Sequence, residues 1–252
     1  MEQTVSPLAT AKFKAYHRQL LEQLSAMTTS EIKRARYELA LMEKSRFAEI
    51  NGIVHHYHDS GPAEAEKVVV LIHGWDCWWM WWHHVIRALN GHGIRTVAYD
   101  MRGHGWSDSD SGNNYHIDCF TRDLAALVDR LGLDRIHIAA FSFGPFVALD
   151  YMRSAPDRVV SATFFNFGYL PNSPVISAFA PAFISFMFNK VLRNFSWWLP
   201  PYLFVRLVLS RNTVMQHDIL IGFRSLELCA PEAIEQTATL PKIGRASCRE
   251  RV

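Results

Sequence analysis

The chain has 252 residues, of which 49% are hydrophobic and 20% are charged, and its 26 basic and 24 acidic side chains give a formal net charge of +2. A chain of this length and composition forms one globular domain of ordinary size, and its near-neutral charge excludes a protein that binds nucleic acid or a membrane mainly by electrostatics. The same composition excludes disordered, collagen-like and disulfide-scaffold proteins.

The N-terminal decapeptide MEQTVSPLAT lacks the basic and apolar regions of a secretory signal, and no apolar run reaches the roughly 18 residues of a membrane span. We therefore expect a soluble, cytoplasmic protein with no integral membrane segment. The cysteines are irregularly spaced and contain no C-x-x-C pair, a pattern that favours free thiols over a metal site or a disulfide framework. No cofactor and no metal is expected.

The first 44 residues form a predicted helical extension. Ser6 and Pro7 are typical of a helix start, and Thr28 with Glu31 fits the capping box of a second helix. Apolar residues follow at helical spacing, with Phe13, Tyr16, Leu20, Leu24 and Met27 in the first helix and Ile32, Ala35, Leu39 and Met42 in the second. Each predicted helix therefore has one apolar face that needs a partner surface.

From Ser45 the pattern changes to short β-like runs that alternate with helical segments. Asn51-Gly52, between the first two runs, is a strong hairpin signal. The predicted strands cover residues 46–50, 53–58, 67–72, 94–99, 135–140 and 158–165, and the predicted helices cover residues 78–89, 119–131 and 143–153. Strands that are nearly all apolar and alternate with helices indicate an α/β fold, with a mostly parallel sheet and helices on both faces.

After about residue 170 the β pattern stops, and a helix-rich apolar segment over 171–239 is predicted to form a cap. Asn189, Arg193 and the Pro200-Pro201 pair interrupt its apolar runs, so we expect a helical cap and not a membrane span. Apolar residues with interspersed basic residues allow weak contact with a membrane surface, although a cap packed on its own core is the favoured interpretation.

The strongest chemical signal lies where the strand at 135–140 meets the following helix. The run AFSFG, from Ala140 to Gly144, places Ser142 at the apex of a sharp turn, with a small residue two places to either side because the two backbones leave little room. The serine would be exposed at a helix N-terminus, whose dipole favours developing negative charge. The alternative is an ordinary strand-to-helix turn that contains a serine, and Ala140 replaces the usual first glycine of the pattern.

A second strand end carries the run His73-Gly74-Trp75. The glycine allows the chain to bend back, so that the backbone N–H of Trp75 points toward Ser142. Together with the N–H of Phe143, it would form an oxyanion hole, in which a single donor contributes roughly 3–4 kcal/mol. His73 itself is predicted to be a structural hydrogen-bonding residue and not the catalytic base.

The third strand end is followed by DMRGHGWSD at residues 100–108, a glycine-punctuated turn. Asp100 and Arg102 are expected to hold this loop to its neighbours, and a direct catalytic role for either is not favoured.

In this order, the three strand ends resemble the α/β-hydrolase fold family, in its group with a helical cap and a serine nucleophile. The shared features are the His-Gly pair, the D-x-R-G-x-G-x-S run and the turn around Ser142, and the resemblance covers about 45–240. It implies that Ser142 is the nucleophile and that Trp75 and Phe143 supply the oxyanion hole. The segment WDCWWMWW is also similar to epoxide hydrolases, but those use an aspartate at the position of Ser142, so ester-type acyl transfer is favoured over epoxide opening.

A serine hydroxyl needs a histidine to take its proton and an acid to orient that histidine, and in this fold both follow the serine along the chain. The one histidine after Ser142 is His217, which lies within the predicted cap, where the family does not place its base. Asn166, at the end of the strand 158–165, is not an acid. We therefore expect the acid and the histidine to be absent, and the chain to be inactive.

The last residues differ in character from the rest. Residues 240–242 resemble the lead-in to another core strand, but residues 243–252 (IGRASCRERV) are similar to the translation of a common sequencing adapter. We expect a non-native tail there, on a truncated chain whose gene product continues with the remaining strands, the acid and the histidine. The predicted organisation is therefore an extension (1–44), the first part of the hydrolase core (45–170), the cap (171–239), the start of a return to the core (240–242) and the tail (243–252).

Five of the eight tryptophans lie between Trp75 and Trp82. The helical spacing of Trp78, Trp82, Val85 and Leu89 indicates that some of these tryptophans belong to the core, while Trp75 adjoins the reacting centre. A pocket between these aromatic residues and the apolar cap favours an apolar substrate, so the preferred function is hydrolysis of a small apolar carboxylic ester. The alternatives are thioester, C–C bond or perhydrolysis chemistry on the same serine, and a non-catalytic binding protein on a hydrolase scaffold.

Overall fold

The computed structural model describes residues 6–24, 29–167, 179, 181–183, 185–193 and 216–237. Several predicted features lie outside the described residues, namely Met27, Thr28, the Pro200-Pro201 pair and the segment 240–252. The helices are α1 (Ala11–Gln23), α2 (Thr29–Met42), α3 (His83–Gly91), α4 (Ile117–Arg130), α5 (Gly144–Ser154), α6 (Gln216–Leu228) and α7 (Pro231–Thr237). Short 3₁₀ helices cover Trp79–Trp82 and Pro156–Arg158, and a π-helix covers Met187–Leu192.

Six strands form one mixed sheet in the order β1-β2-β4-β3-β5-β6. They are β1 (Ser45–Ile50), β2 (Ile53–Ser60), β3 (Val68–Ile72), β4 (Arg95–Tyr99), β5 (Ile136–Phe141) and β6 (Val159–Phe165). β1 and β2 form an antiparallel hairpin, β2 pairs antiparallel with β4, and the pairs β4-β3, β3-β5 and β5-β6 are parallel. The predicted α/β class with a mostly parallel sheet is confirmed.

The hairpin at Asn51-Gly52 is confirmed. Both residues have positive φ, 50° and 77°, as in the two-residue turn whose twist matches that of the flanking strands. Because Ile50 pairs directly with Ile53, the turn sets the register of the whole β1-β2 ladder.

The sheet separates two apolar clusters. One packs α4 and α5 against residues such as Val70, Ile72 and Ile138, and the other packs α1 and the 3₁₀ turn against Leu71 and Ala98. Helices therefore cover both faces of the central strands, where the predicted strands are nearly all apolar.

Coverage of both faces does not extend to β6, which lies at the edge of the sheet. Among the described residues this strand pairs with β5 alone, and Val160 and Phe165 are 45% and 47% exposed. An apolar groove beside it is lined by residues that include Val69, Ile138 and Phe165. Within the described part of the chain, no helix is long and apolar enough to cross a membrane.

The predicted start of the first helix at Ser6 and Pro7 is wrong, because α1 begins at Ala11. Thr10 is the N-cap, and its Oγ1 accepts a hydrogen bond from the N–H of Phe13 at 3.4 Å. The same hydroxyl donates to the carbonyl of Trp106 at 2.6 Å, so a contact with a distant loop selects this cap.

The α-helix predicted over 78–89 begins later than expected, although Trp78 and Trp82 are buried in the core, as predicted. Trp78 is extended, with φ of −152°, and the following residues form a 3₁₀ turn before α3 begins at His83. Helical spacing therefore does not continue from Trp78, and Val85 is 37% exposed while Ile86 is buried.

The N-terminal helices pack on the core. The ring of Phe13 makes edge contacts with Phe47 at 5.0 Å and Trp106 at 4.9 Å between centroids. The hydroxyl of Tyr16 donates to buried Glu38 on α2, which joins the two helices. The apolar face predicted for α1 is thus buried against the sheet domain.

Candidate active site

The turn around Ser142 connects β5, which ends at Phe141, to α5, which begins at Gly144. Ser142 has φ of 56°, in the left-handed region that non-glycine residues rarely adopt, and its side chain is exposed. Its N–H donates to the carbonyl of Phe165 at 3.1 Å, so β6 supports the strained turn from the other side. A serine held in this way presents its hydroxyl at the carboxyl edge of the sheet.

Small residues on either side of Ser142 fit a restricted space. A Cβ at Gly144 would lie 2.7 Å from the carbonyl oxygen of Ile72 and 2.8 Å from that of His73. No flexible side chain there can move aside, because both neighbours are backbone atoms. Ala140, which replaces the first glycine of the family pattern, is fully buried and stands between Ile72 and Phe164 in the parallel ladder, where its methyl group is accommodated.

The His73-Gly74 turn lies directly against Ser142. A Cβ at Gly74 would be 2.9 Å from the Cβ of Ser142 and 2.8 Å from the ring of Phe141. The backbone N–H groups of Trp75 and Phe143 donate to no acceptor among the described residues. Two turns in close contact, each with a free N–H, can stabilise negative charge that develops beside the serine.

His73 is fully buried, and both of its ring nitrogens have partners. Nδ1 lies 2.7 Å from the carbonyl oxygen of Gly74, and Nε2 accepts from the N–H of Met101 at 3.0 Å. Burial lowers the pKa of this imidazole. A neutral His73 therefore ties the turn after β3 to the loop after β4, and it has no free nitrogen to accept a proton from Ser142.

The carboxylate of Asp100 joins several loops at the carboxyl edge of the sheet. Oδ1 accepts from the N–H of Trp79 at 2.7 Å, and Oδ2 accepts from the N–H of Trp106 and from Nδ1 of His56, both at 2.9 Å. Burial opposes ionisation, but the hydrogen bond and charge of His56 outweigh it and hold the pKa of Asp100 below its usual value. Gly105 comes so close that a Cβ there would collide with this carboxylate.

Arg102 forms a buried, two-pronged ion pair with Asp123 on α4. Its Nε and Nη2 donate to the two carboxylate oxygens at 2.7 and 2.8 Å, and Asn51 donates to the same group at 2.9 Å. Burial would raise the pKa of Asp123, but hydrogen bonds from His55 and Arg102 lower it to about 2. Arg102 thus fastens the loop to α4 and does not reach toward the serine.

Asp76 is a site residue that sequence reasoning missed. It follows Trp75 in a turn with φ of 52° and is only 5% exposed. Burial raises the pKa of its carboxyl to about 7, against the opposing effects of Arg193 and Cys229. Its signal in the sequence is a lone carboxylate inside the apolar run WDCWWMWW.

Some of the aromatic residues beside the site are buried in the core, and others line the site. Trp78, Trp79 and Trp82 are buried, whereas Trp81 is 44% exposed. Trp75 packs its ring 4.6 Å from that of Phe188 in the π-helix, and its Nε1 donates to the hydroxyl of Thr237 at 2.6 Å. Trp75 therefore connects the candidate oxyanion turn with residues of the predicted cap. Trp197 and Trp198, which belong to the segment predicted as the cap, lie outside the described residues.

Ser142 Oγ forms no hydrogen bond with a described residue, so no described histidine is positioned as its base. His217 lies on α6, with its side chain outside the described residues, and Asn166 follows β6 with φ of 48°. In the described part of the chain, no group of three or more histidine, cysteine, aspartate or glutamate side chains is arranged to hold a metal ion.

We expect Ser142→Gly to raise the free energy of unfolding by about 1 kcal/mol, because glycine adopts a positive φ without strain. Urea unfolding followed by circular dichroism measures this change. The matched control is Ser161→Gly in β6, where glycine should destabilise a strand residue. A loss of stability in both variants would contradict a strained backbone at Ser142.

A sequence model for the family described as alpha/beta hydrolase fold matches residues 67–214. "Epoxide hydrolase 3" from Siraitia grosvenorii is 30% identical over 127 residues, which cover 50% of this chain and 39% of that protein. "Non-heme chloroperoxidase" from Streptomyces lividans is 36% identical over 107 residues, which cover 42% of this chain and 38% of that protein. The chain thus spans less than half the length of these curated relatives.

The solved structure of an epoxide hydrolase from Vigna radiata superimposes with a TM-score of 0.61 at 19% identity, covering 81% of this chain and 76% of that one. At this level of identity the likeness shows the fold alone.

Proposed function

Because this chain belongs to the α/β-hydrolase fold family, we propose that it is a serine hydrolase that forms an acyl-enzyme on Ser142 with a small apolar carboxylic ester. One observation carries this proposal. Ser142 is exposed in a strained turn with φ of 56°, against the turn of Gly74 and beside the free N–H groups of Trp75 and Phe143.

In the proposed reaction, Ser142 Oγ bonds to the ester carbonyl carbon while its proton passes to a general base. The electron pair of the carbonyl π bond moves to oxygen, and the N–H groups of Trp75 and Phe143 donate to this oxyanion. When the carbonyl forms again, the alcohol leaves with a proton from the base, and water repeats the sequence to release the acid. Each oxyanion donor is worth about 3 kcal/mol in such a step.

The names of several relatives suggest epoxide opening as another activity. Attack by Ser142 on an epoxide carbon would leave an ether, which water does not cleave under mild conditions. A carboxylate nucleophile would instead leave an ester, which water can hydrolyse. The serine at this position therefore favours acyl transfer, in which the covalent intermediate is itself an ester.

The chloroperoxidase relative favours a second candidate function, perhydrolysis. In that reaction hydrogen peroxide replaces water as the acceptor of the acyl group, and the product is a peroxy acid. The roles proposed for Ser142, Trp75 and Phe143 are the same in both reactions, and the product distinguishes them.

The remaining site residues are proposed to support the turns. His73, Asp100 and Arg102 hold loops through the hydrogen bonds described above, and Gly74, Ala140 and Gly144 provide space. The acid and the histidine that activate Ser142 are proposed to be absent from this chain, and His217 is not proposed as the base. A chain without them should lose catalysis on the order of 10⁶-fold in kcat.

The test is labelling of Ser142 by a fluorophosphonate probe, with and without added imidazole as a substitute base. We expect slow labelling of the 252-residue chain that imidazole accelerates, no labelling of Ser142→Ala, and an unchanged rate in His217→Ala. A probe that labels wild type and Ser142→Ala equally, or never labels wild type in imidazole, would contradict a nucleophilic Ser142. Loss of labelling in His217→Ala would instead identify that histidine as the base.

A further inference from the structure

Two complementary polar atoms remain buried without a partner where the oxyanion turn meets the cap segment. Oδ1 of Asp76 is a hydrogen-bond acceptor and Nε of Arg193 is a donor, and neither has a partner among the described residues. Asp76 directly follows Trp75, and Arg193 directly follows the π-helix that carries Phe188. Asp76 is thus bonded to one member of the Trp75–Phe188 contact, and Arg193 lies on the segment that carries the other.

The surroundings hold these two side chains in place. Nη2 of Arg193 donates to the carbonyl of Cys229 at 2.7 Å, which fixes the guanidinium at the junction between α6 and α7. The charge of Arg193 and the nearby thiol of Cys229 both act on the carboxyl of Asp76. The charged and titratable groups around Asp76 are thus Arg193, Cys229 and the neighbouring Cys77.

Each buried polar atom without a partner destabilises the folded protein. This destabilisation is larger than the net stabilisation that one hydrogen bond provides. The two atoms do not pair with each other, so a third group that donates to Asp76 and accepts from Arg193 would relieve both costs at once. A hydroxyl or a primary amide does both. A carboxylate cannot donate to Asp76, and an ammonium group cannot accept from Arg193.

We propose that Asp76 and Arg193 form a polar subsite that binds a neutral hydroxyl or amide group of the substrate, next to the apolar wall of Trp75 and Phe188. This inference rests on the proposed function and narrows its substrate class, from apolar esters in general to apolar esters that carry such a group.

The test compares two probes with the same apolar body, 4-phenylbutan-1-ol and its methyl ether, titrated into the whole chain by calorimetry at pH 8, above the raised pKa of Asp76. The ether has no donor for Asp76, so we expect the alcohol to bind about tenfold more tightly. Asp76→Ala removes the acceptor, and Arg193→Lys keeps the charge but removes the Nε–H, so each should bring the ratio near one. Asp76→Asn retains an acceptor oxygen and should retain the preference.

The control is Glu232→Ala, which removes an exposed carboxylate of α7 and should leave the ratio unchanged. Arg193→Lys decides the question if Asp76→Ala does not fold. Equal affinities of wild type for the two probes, as expected if a single water fills the site, would overturn the subsite, as would a preference that survives both substitutions. Since fluorophosphonate labelling tests Ser142 without these probes, failure of the subsite and failure of the proposed function are distinguishable.

Discussion

Asp100→Ala is expected to lower the free energy of unfolding by about 4 kcal/mol. The fully buried carboxylate accepts from the backbone N–H groups of Trp79 and Trp106 and from His56. Alanine leaves all three donors without an acceptor in a space that water does not reach. The cost of such unpaired groups exceeds the value of the hydrogen bonds themselves.

Urea unfolding with linear extrapolation measures the loss. The matched control is Asp118→Ala on α4, where the aspartate is 58% exposed and pairs with an exposed Arg122. We expect that change to stay within about 0.5 kcal/mol, because exposed ion pairs contribute little. Similar losses in both variants would show that Asp100 does not hold the loops together.

Asp76→Asn is expected to change the pH dependence of stability. Burial raises the pKa of Asp76 in the folded protein to about 7, whereas the ordinary value is 3.8. Between these values the folded state keeps a proton that the unfolded state releases, so wild-type stability falls as pH rises from about 4 to 7, by about 4 kcal/mol in total. Asparagine is neutral throughout and removes this loss.

The free energy of unfolding of Asp76→Asn minus that of wild type should therefore be about 4 kcal/mol larger at pH 8 than at pH 4. Melting curves and urea titrations across this range measure the difference, with Glu232→Gln as an exposed control that should follow the wild type. Burial raises the pKa of the thiols of Cys77 and Cys229 well above the ordinary value, so neither thiol titrates in this window. Parallel profiles for wild type and Asp76→Asn would contradict a proton held by Asp76.

Much of the candidate site was predictable because it depends on residues close together in the chain. The run from Ala140 to Gly144 contains the strand end, the strained serine and the small residue that the turn requires. The prediction that His73 is structural agrees with its two occupied nitrogens, although its role stays a prediction. Asp76 was missed because the sequence around it does not indicate a role for a carboxylate. The residues that act on it, Arg193 and Cys229, are distant in the sequence.

The sequence by itself determined the alternation of strands and helices, the hairpin at Asn51-Gly52 and the turn at Ser142. These features follow from side-chain periodicity and from backbone conformations that few residues adopt, so a short stretch of chain is enough to specify them. Such local rules do not depend on what the segment packs against.

Only the tertiary structure decided where α1 begins, which tryptophans are buried and what the charged residues do. The helix cap Thr10 donates a hydrogen bond to Trp106, 96 positions away, and the extended Trp78 donates its indole N–H to the carbonyl of Ile221 in α6. Hydrogen bonds and apolar contacts between distant segments contribute more free energy than the helix propensity of single residues, which is only tenths of a kcal/mol per residue. These partners are far apart in the sequence and come into contact only when the chain folds.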